Sequence, residues 1–234
     1  MARCPFAEWR PIPPQEEYEK SKWTRPLEKT QLILHSAAGS YTGSLAHWEK
    51  AFNWRVHSTF FVLNDGTLIQ LMDTDYRTAA NVSSNGRSIS VETEDYAHPD
   101  HLLWTPAQVA TLVKLAEWTH ETHQIPLAPC SAHDEPGIGF HTMWGPRGGD
   151  NPWIGDGISK TCPGTARIPQ FYSEILTGLG YPVTGKEVDE IWKLWPSKPR
   201  ITIWEKPTAR RRKKRRRGRG KRKRADLEPI VPMV

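Results

Sequence analysis

Short apolar runs that end at turn residues dominate the first hundred residues of the chain. Residues 31–35 form one such run, which stops at Ser36 and is typical of a buried strand with a histidine at its C-terminal end. Residues 59–63 and 67–72 are two further runs. The Asn-Asp-Gly turn between them, residues 64–66, predicts an antiparallel hairpin, because Asp-Gly provides the backbone conformation that a tight turn requires.

The next pattern alternates strictly between apolar and polar side chains. It covers residues 87–94, and it predicts a strand because successive side chains of a strand point to opposite faces. Ser88, Ser90, Glu92 and Glu94 would share one face of this strand. The sequence therefore predicts a polar and partly acidic face.

Helical patterns occur at three places. Thr105 and Pro106 are typical of an N-cap and a first helical position, and we expect a helix from there to a point before Pro126. Residues 44–54 and 168–179 also have helical spacing. The apolar residues expected to face the core are Val109, Leu112, Val113 and Ala116 in the first of these helices, and Leu45, Trp48 and Phe52 in the helix over 44–54.

Two segments have no periodic pattern. Residues 1–26 contain five prolines and predict a strap across the domain surface, since proline excludes a long helix. Residues 129–163 are rich in glycine and proline, and they predict one long irregular stretch of the kind that often carries functional residues. Together, the patterns predict an α/β domain over residues 27–182.

The basic residues are concentrated near the C-terminus. The formal net charge is +6, but residues 210–224 contain 13 lysines and arginines, and the rest of the chain carries 19 basic and 26 acidic residues. The body is therefore acidic. A block of like charges without apolar residues is expected to stay extended and solvated. We expect residues 183–209 to form a linker or a small appendage, and residues 225–234 to form the C-terminal end after the basic tail.

Cysteine usage and hydropathy bear on the cellular compartment. No apolar run approaches the length of about 18 residues that a membrane span needs, and the N-terminal residues lack the apolar core of a signal peptide. We therefore expect synthesis in a cytoplasm without export by the general secretory route. The three cysteines, Cys4, Cys130 and Cys162, cannot all pair with one another, so a disulfide framework is not expected.

Side chains that bind metals lie near the ends of the predicted elements. His35 ends a predicted strand, and His133, His141 and Cys162 lie in the long irregular stretch. Neutral imidazole and thiolate are preferred ligands of zinc, and a catalytic zinc site has three protein ligands with an open fourth position. Two histidines and one cysteine would meet this requirement, but the spacing alone does not choose among the histidines.

Five segments of the chain occur in the order seen in a known family. They are residues 32–36 (LILHS), 60–67 (FFVLNDGT), 89–94 (ISVETE), 137–141 (GIGFH) and 160–164 (KTCPG). In this order they resemble zinc-dependent N-acetylmuramoyl-L-alanine amidases, a family that includes peptidoglycan recognition proteins. The chain is most similar to the amidase modules of endolysins from phages of actinobacteria. The resemblance implies a central mixed β-sheet flanked by helices, and the residue patterns add a long irregular loop at the metal site and a disordered basic tail.

The resemblance also implies a ligand set. One Zn²⁺ per chain would be bound by His35, His141 and Cys162. The competing candidate for the second ligand is His133, because 21 positions separate His141 from Cys162, more than in compact members of the family.

The reaction implied is hydrolysis of the amide between the lactyl group of N-acetylmuramic acid and L-alanine of the stem peptide. Glu92 would act as the general base, with Glu94 as the less favoured alternative. Lys160 would offset the negative charge that develops on the tetrahedral oxygen. Ser58 occupies the position of a tyrosine found in small phage amidases, so tyrosine-assisted chemistry is not expected.

The implied substrate is the peptidoglycan of a bacterial host, reached from the host cytoplasm after release. We expect residues 210–224 to bind an anionic envelope polymer or a membrane surface, with nucleic acid as the less favoured partner. Two alternatives from other classes stay open: a non-catalytic peptidoglycan-binding protein of the same fold, and a nucleic-acid-binding protein that acts through the tail. Glu92, Lys160 and Cys162 together favour the enzyme, because non-catalytic members characteristically lack the cysteine.

Overall fold

The apolar runs form the strands of one six-stranded sheet. The computed structural model describes residues 2–20, 27–95 and 102–184. The strands are β1 (Glu8–Trp9), β2 (Gln31–Leu34), β3 (Phe60–Val62), β4 (Leu68–Gln70), β5 (Ser88–Thr93) and β6 (Gly137–Phe140). Their order across the sheet is β1-β4-β3-β5-β2-β6, and every neighbouring pair is parallel except the predicted hairpin of β3 and β4. The sheet is therefore mixed.

Helices flank this sheet. Those within the described residues are α1 (Pro13–Lys20), α2 (Tyr41–Phe52), α3 (Pro106–His123) and α4 (Arg167–Gln170), and α4 continues as a π-helical segment, Phe171–Leu176. At the start of α3, the hydroxyl of Thr105 accepts the backbone N–H of Gln108, and the side chain of Gln108 accepts the backbone N–H of Thr105. The predicted N-cap is confirmed, and it takes the form of a capping box.

Apolar side chains cover both faces of the sheet. On one face, Leu32, Phe60 and Ile89 belong to a buried cluster with Leu112 of α3 and Phe171 of the π-helical segment. On the other face, a second cluster joins Phe61 and Ile69 to Trp48 of α2 and to Ile12. Burial on both faces explains why β2 and β3 are continuous apolar runs without alternation.

The N-terminal strap, residues 2–20, is built into the sheet. Its strand β1 pairs in parallel with β4, with Glu8 opposite Ile69. Cys4 is buried in the main core cluster, and the side chain of Gln15 accepts the backbone N–H of Asp73 at 2.7 Å. The strap is therefore a structural part of the domain, with a strand and a short helix of eight residues.

Two local expectations were wrong. Strand β6 lies inside the segment predicted to be irregular, because two of its four residues are glycines and leave little apolar pattern. Phe52, predicted to face the core, is 41% exposed. The predicted polar face of β5 is buried in part, since Ser88 and Ser90 are fully buried and hydrogen-bonded to their neighbours.

The predicted linker and the predicted basic tail fall almost entirely beyond residue 184, where the described part of the chain ends. Within the described ranges, no helix combines the length and the apolar character that crossing a bilayer requires.

Candidate metal centre

Two adjacent parallel strands bring two histidines to one edge of the sheet. His35 directly follows β2, and His141 directly follows β6. Leu34 pairs with Phe140 in the register of these strands, so the next residue of each strand leaves the sheet at the same level. The two imidazole rings lie with their centroids 4.5 Å apart.

A cysteine completes the group. Cys162 lies in the loop that precedes α4, and its Sγ is 3.5 Å from Nδ1 of His35. One ligand atom from each of His35, His141 and Cys162 lies within 4.8 Å of the others. The three residues of the implied ligand set are therefore brought together, and we call them the donor cluster.

The orientation of His35 is set by an asparagine. Nε2 of His35 is 2.8 Å from Oδ1 of Asn81, which can only accept, so Nε2 carries the hydrogen and Nδ1 keeps its lone pair. The amide of Asn81 is itself oriented, because its Nδ2 donates to the hydroxyl of Ser88 at 2.9 Å. Nδ1 of His35 is thus the nitrogen available to a metal ion, on the side of Cys162.

The orientation of His141 is set by a backbone carbonyl. Nε2 of His141 donates to the carbonyl oxygen of Trp153 at 2.9 Å, which leaves Nδ1 of this histidine as a lone-pair donor as well. Trp153 is fully buried. A Cβ at Gly139 would come within 2.9 Å of its ring, so the glycine in β6 is what lets the tryptophan pack here.

The protonation states of the three residues of the donor cluster suit a divalent cation such as zinc. Burial lowers the pKa of His35 well below its ordinary value and that of His141 to about 4, so both imidazoles are neutral near pH 7. Burial raises the pKa of the Cys162 thiol, although its Sγ accepts the backbone N–H of Ser36 at 3.2 Å. A bound cation would favour the thiolate. Two neutral imidazoles and one ionisable thiol match the ligands that zinc prefers.

A carboxylate with a free oxygen lies near the cluster. Glu92 is on β5, and its Oε1 accepts the hydroxyl of Ser58 at 3.3 Å. Its Oε2 is buried and has no hydrogen-bond partner among the described residues. Burial raises the pKa of Glu92 to about 7 and is the largest cause of the shift. The backbone of His35 hydrogen-bonds to Val91 and Thr93, the two chain neighbours of Glu92, so Glu92 lies beside His35 in the sheet.

The competing carboxylate has a structural role. Glu94 accepts the backbone N–H of Tyr41 with Oε1 at 3.1 Å, and the backbone N–H and side-chain amide of Asn64 with Oε2 at 3.1 and 3.2 Å. Both oxygens are therefore engaged, at the start of α2 and at the hairpin turn. Glu92, in contrast, has one oxygen left for chemistry.

A lysine adds positive charge from the solvent side. Lys160 is exposed. Its charge contributes to the lowered pKa values of His35 and His141, and it acts against the raised pKa of Glu92. Lys160 lies two residues before Cys162, in the same loop as this member of the donor cluster.

Comparison with known sequences identifies the family of the chain. A sequence model described as N-acetylmuramoyl-L-alanine amidase matches residues 25–165, which is more than half of the chain. The chain belongs to this amidase family. No curated protein matches it in sequence.

Solved amidase structures share the fold. The endolysin N-acetylmuramoyl-L-alanine amidase LysCS from Clostridium intestinale is 15% identical, with a TM-score of 0.51, and the match covers 77% of this chain and 99% of that one. A point mutant of PlyL is 14% identical, also with a TM-score of 0.51, over 75% of this chain and 99% of that one. At this level of identity, the similarity shows the amidase fold.

His133, the alternative candidate for the second zinc ligand of the amidase domain, lies outside the donor cluster. His133 is exposed, and its Nδ1 lies 3.9 Å from Oδ1 of Asp134. Its backbone carbonyl accepts the side-chain N–H groups of Gln31 and Trp153. The donor cluster contains His141 in its place.

Several residues around the amidase cluster were missed by sequence reasoning. Asn81 and the carbonyl of Trp153, which orient the imidazoles, have no local motif that announces them. A buried ion pair also lies behind the site, with Nη1 of Arg167 3.4 Å from Oδ2 of Asp95. Asp95 also accepts the hydroxyl of Ser36, whose backbone N–H donates to Cys162, so the pair supports the loop beneath the sulfur.

Proposed function

We propose that the protein is a zinc-dependent peptidoglycan hydrolase that cleaves the amide between N-acetylmuramic acid and L-alanine of the stem peptide. Family membership and fold support peptidoglycan amidase activity. The observation that carries the finer proposal is the donor cluster of His35, His141 and Cys162 with the free oxygen of Glu92 beside it.

The ligand residues would hold one Zn²⁺ per chain. When bound, zinc lowers the pKa of a water molecule and polarises a carbonyl group, provided that one coordination position stays open. His35 and His141 serve this purpose because both are neutral and both present Nδ1. Cys162 would contribute a negative charge that partly balances the cation.

Glu92 would move the proton in this reaction. Its unpartnered Oε2 is the atom that would take a proton from the attacking water and later pass it to the nitrogen of the leaving alanine. A pKa raised to about 7 suits both steps, since a group that must accept and then donate a proton works best near the operating pH.

Lys160 would act on the carbonyl oxygen. Lys160 is exposed two residues before Cys162, and its ammonium group would offset the negative charge that develops on the oxygen as the carbon becomes tetrahedral. Ser58 would hold the other oxygen of Glu92 in place, a role that differs from that of a tyrosine acting on substrate.

The test of this function is chemical. Purified protein is incubated with peptidoglycan, with and without a chelator, and the new ends are identified by mass spectrometry. We expect free lactyl carboxylates and free alanine amines, and we expect the chelator to abolish them. A non-catalytic binding protein would release neither, and new reducing sugars would instead identify a glycosidase.

The positioning of His35 gives a second test. Asn81→Ala should lower the affinity for Zn²⁺ by about 10- to 100-fold, because the partner that fixes the imidazole tautomer is lost. The affinity is measured by titration against a competing chelator. Ser83→Ala, at an exposed neighbouring position, is the matched control and should bind zinc normally. Normal affinity in Asn81→Ala would show that the asparagine does not orient a ligand.

We further propose that the protein acts as an endolysin, made in the host cytoplasm and active on the wall after release. The 13 basic residues of 210–224 would attach the acidic body to an anionic envelope polymer or membrane surface. Nucleic acid is the competing partner of such a tail.

Truncation after Pro207 tests the role of the tail. We expect unchanged hydrolysis of small soluble muropeptides and weaker sedimentation with whole walls, because the tail raises the local concentration without touching the site. The difference should shrink as salt rises, since screening weakens the attraction of the intact protein. Equal binding of the full-length and truncated proteins to whole walls at low salt would show that the tail does not attach the protein to the envelope.

A further inference from the structure

The segment between the second and third members of the donor cluster folds back on itself. We call this segment, residues 142–161, the insertion loop. At its base, the hydroxyl of Thr142 donates to the backbone carbonyl of Cys162 at 2.7 Å. Further along, Arg147 and Ser159 pair as an antiparallel β-bridge. The two ends of the insertion loop therefore lie side by side, which brings the cysteine back to the second histidine.

A buried asparagine connects the interior of this loop. Asn151 is fully buried. Its Nδ2 lies 2.9 Å from the carbonyl oxygens of His141 and Gly145, and its Oδ1 lies 2.9 Å from the backbone nitrogen of Trp153. A carbonyl oxygen only accepts and a backbone N–H only donates, so these partners define which end of the amide is the nitrogen. Both ends of the side chain are thus engaged by backbone groups.

Two of these partners share the hydrogen bond that orients the second ligand. Nε2 of His141 donates to the carbonyl oxygen of Trp153 at 2.9 Å. Asn151 binds the carbonyl of the same histidine and the N–H of the same tryptophan. The three residues therefore form a closed ring of hydrogen bonds, from the asparagine to the histidine backbone, from the imidazole to the tryptophan carbonyl, and from the tryptophan N–H back to the asparagine.

The ring of the tryptophan and its peptide group are held by different contacts. Nε1 of Trp153 donates to the carbonyl of His133 at 2.9 Å, and a Cβ at Gly139 would come within 2.9 Å of the indole. These contacts fix the ring. The carbonyl of Trp153 belongs to the same planar peptide group as the N–H of Ile154, which donates to the backbone carbonyl of Asn151 at 3.0 Å. Asn151 therefore holds this peptide group through its backbone as well as through its side chain.

The partners of Asn151 require a donor and an acceptor on one short side chain. An aspartate has no hydrogen to donate when ionised, and its carboxylate would face two carbonyl oxygens. A leucine of similar size would leave two carbonyls and one N–H without these hydrogen bonds in a buried position, which costs free energy. The contribution of Asn151 is therefore its hydrogen bonds and not its volume.

We propose that Asn151 is a positioning residue of the donor cluster, which holds the carbonyl of Trp153 against Nε2 of His141 so that Nδ1 of this histidine stays free for the metal ion. The proposal rests on the proposed function, which supplies the metal ion. A hydrogen on Nε2 leaves the lone pair on Nδ1, and a partner that fixes this tautomer contributes to metal affinity. With the asparagine side chain removed, we expect the carbonyl to shift and part of the molecules to carry the hydrogen on Nδ1.

The test observes the imidazole of His141 in the metal-free, full-length protein. Nitrogen NMR of the histidine side chains shows which ring nitrogen carries the hydrogen. We expect Nε2–H in the wild-type protein and a mixture of the two tautomers in Asn151→Ala. The affinity for Zn²⁺, measured against a competing chelator, should fall by about 10- to 100-fold in this variant. Asn151→Asp, which keeps the size of the side chain and lacks its donors, should change both quantities in the same direction.

Two further variants separate positioning from a general loss of stability. Ile154→Ala removes a buried apolar side chain of the same loop, so it should lower the unfolding temperature and leave the tautomer of His141 and the zinc affinity unchanged. Asn81→Ala should change the tautomer of His35 and leave that of His141 as it is. Asn151→Ala should show the reverse pattern.

The wild-type spectrum alone is decisive in one direction, since a hydrogen on Nδ1 of His141 overturns the proposal without any variant. An unchanged tautomer and an unchanged zinc affinity in folded Asn151→Ala overturn it as well. A change of tautomer confined to His141 supports the positioning role even if the wild-type protein cleaves no amide. Failure of the proposed function is therefore distinguishable from failure of this proposal.

Discussion

Cys162→Ser is expected to lose zinc and activity together. A serine hydroxyl at this half-buried position is a far poorer zinc ligand than a thiolate, and the remaining His35 and His141 are too few to hold the ion tightly. We expect zinc content well below one per chain by metal analysis after dialysis, and peptidoglycan hydrolysis below detection. The fold should persist, because the hydroxyl replaces a slightly larger thiol at a partly exposed position of the loop and not a core side chain.

Two histidine variants act as a matched pair for this experiment. His141→Ala removes a nitrogen of the donor cluster and should behave like Cys162→Ser. His133→Ala changes an exposed side chain outside the cluster and should keep both zinc and turnover. Full zinc occupancy in His141→Ala together with loss in His133→Ala would transfer the second ligand to His133. Full occupancy in Cys162→Ser would remove the cysteine from the ligand set.

Much of the sheet could be predicted from the sequence because its strands are buried on both faces. The runs that became β2, β3 and β4 are continuous apolar segments, and the Asp-Gly turn fixes the hairpin. The N-cap and first position of α3 were also recognisable, since Thr105 and Pro106 act through local backbone chemistry. Local signals of this kind need no knowledge of the tertiary structure.

Elements that depend on tertiary contacts could not be predicted. Strand β6 has the sequence Gly-Ile-Gly-Phe, which places its two apolar residues on one face and its two glycines on the other. It becomes a strand because it adds to the edge of β2 and because Gly139 leaves room for the ring of Trp153. Strand β1 has only two residues and exists through its pairing with β4. No periodicity can appear over so few positions.

The residues of the candidate site also include some that could be predicted from the sequence and some that could not. His35, His141 and Cys162 were accessible through motifs of the family that the chain resembles, and the structure places their ligand atoms together. Asn81 and the carbonyl of Trp153 were not, because their role depends only on where distant segments of the chain meet. An asparagine in a loop and a backbone oxygen carry no signal in a single sequence.

Glu92→Gln is expected to reduce turnover by about 100- to 10,000-fold while zinc binding and fold are retained. Glutamine has the same shape, and its side-chain oxygen can still accept the hydroxyl of Ser58, so the local packing is preserved. What it loses is the ability to take a proton at the second oxygen, which has no partner among the described residues of the domain. The measurement is kcat on a soluble muropeptide, together with metal content and thermal unfolding of the same preparation.

Glu94→Gln separates this chemical role from a structural one. Both oxygens of Glu94 accept backbone N–H groups, so an amide in its place removes one acceptor and should lower the stability of the domain by about 1 to 3 kcal/mol. Its kcat should stay near the wild-type value, because neither oxygen is free to exchange a proton with substrate. The opposite pattern, with an active Glu92→Gln and an inactive but folded Glu94→Gln, would assign the proton transfer to Glu94. Zinc content must stay at one per chain in both variants, since loss of the metal would reduce turnover for a different reason.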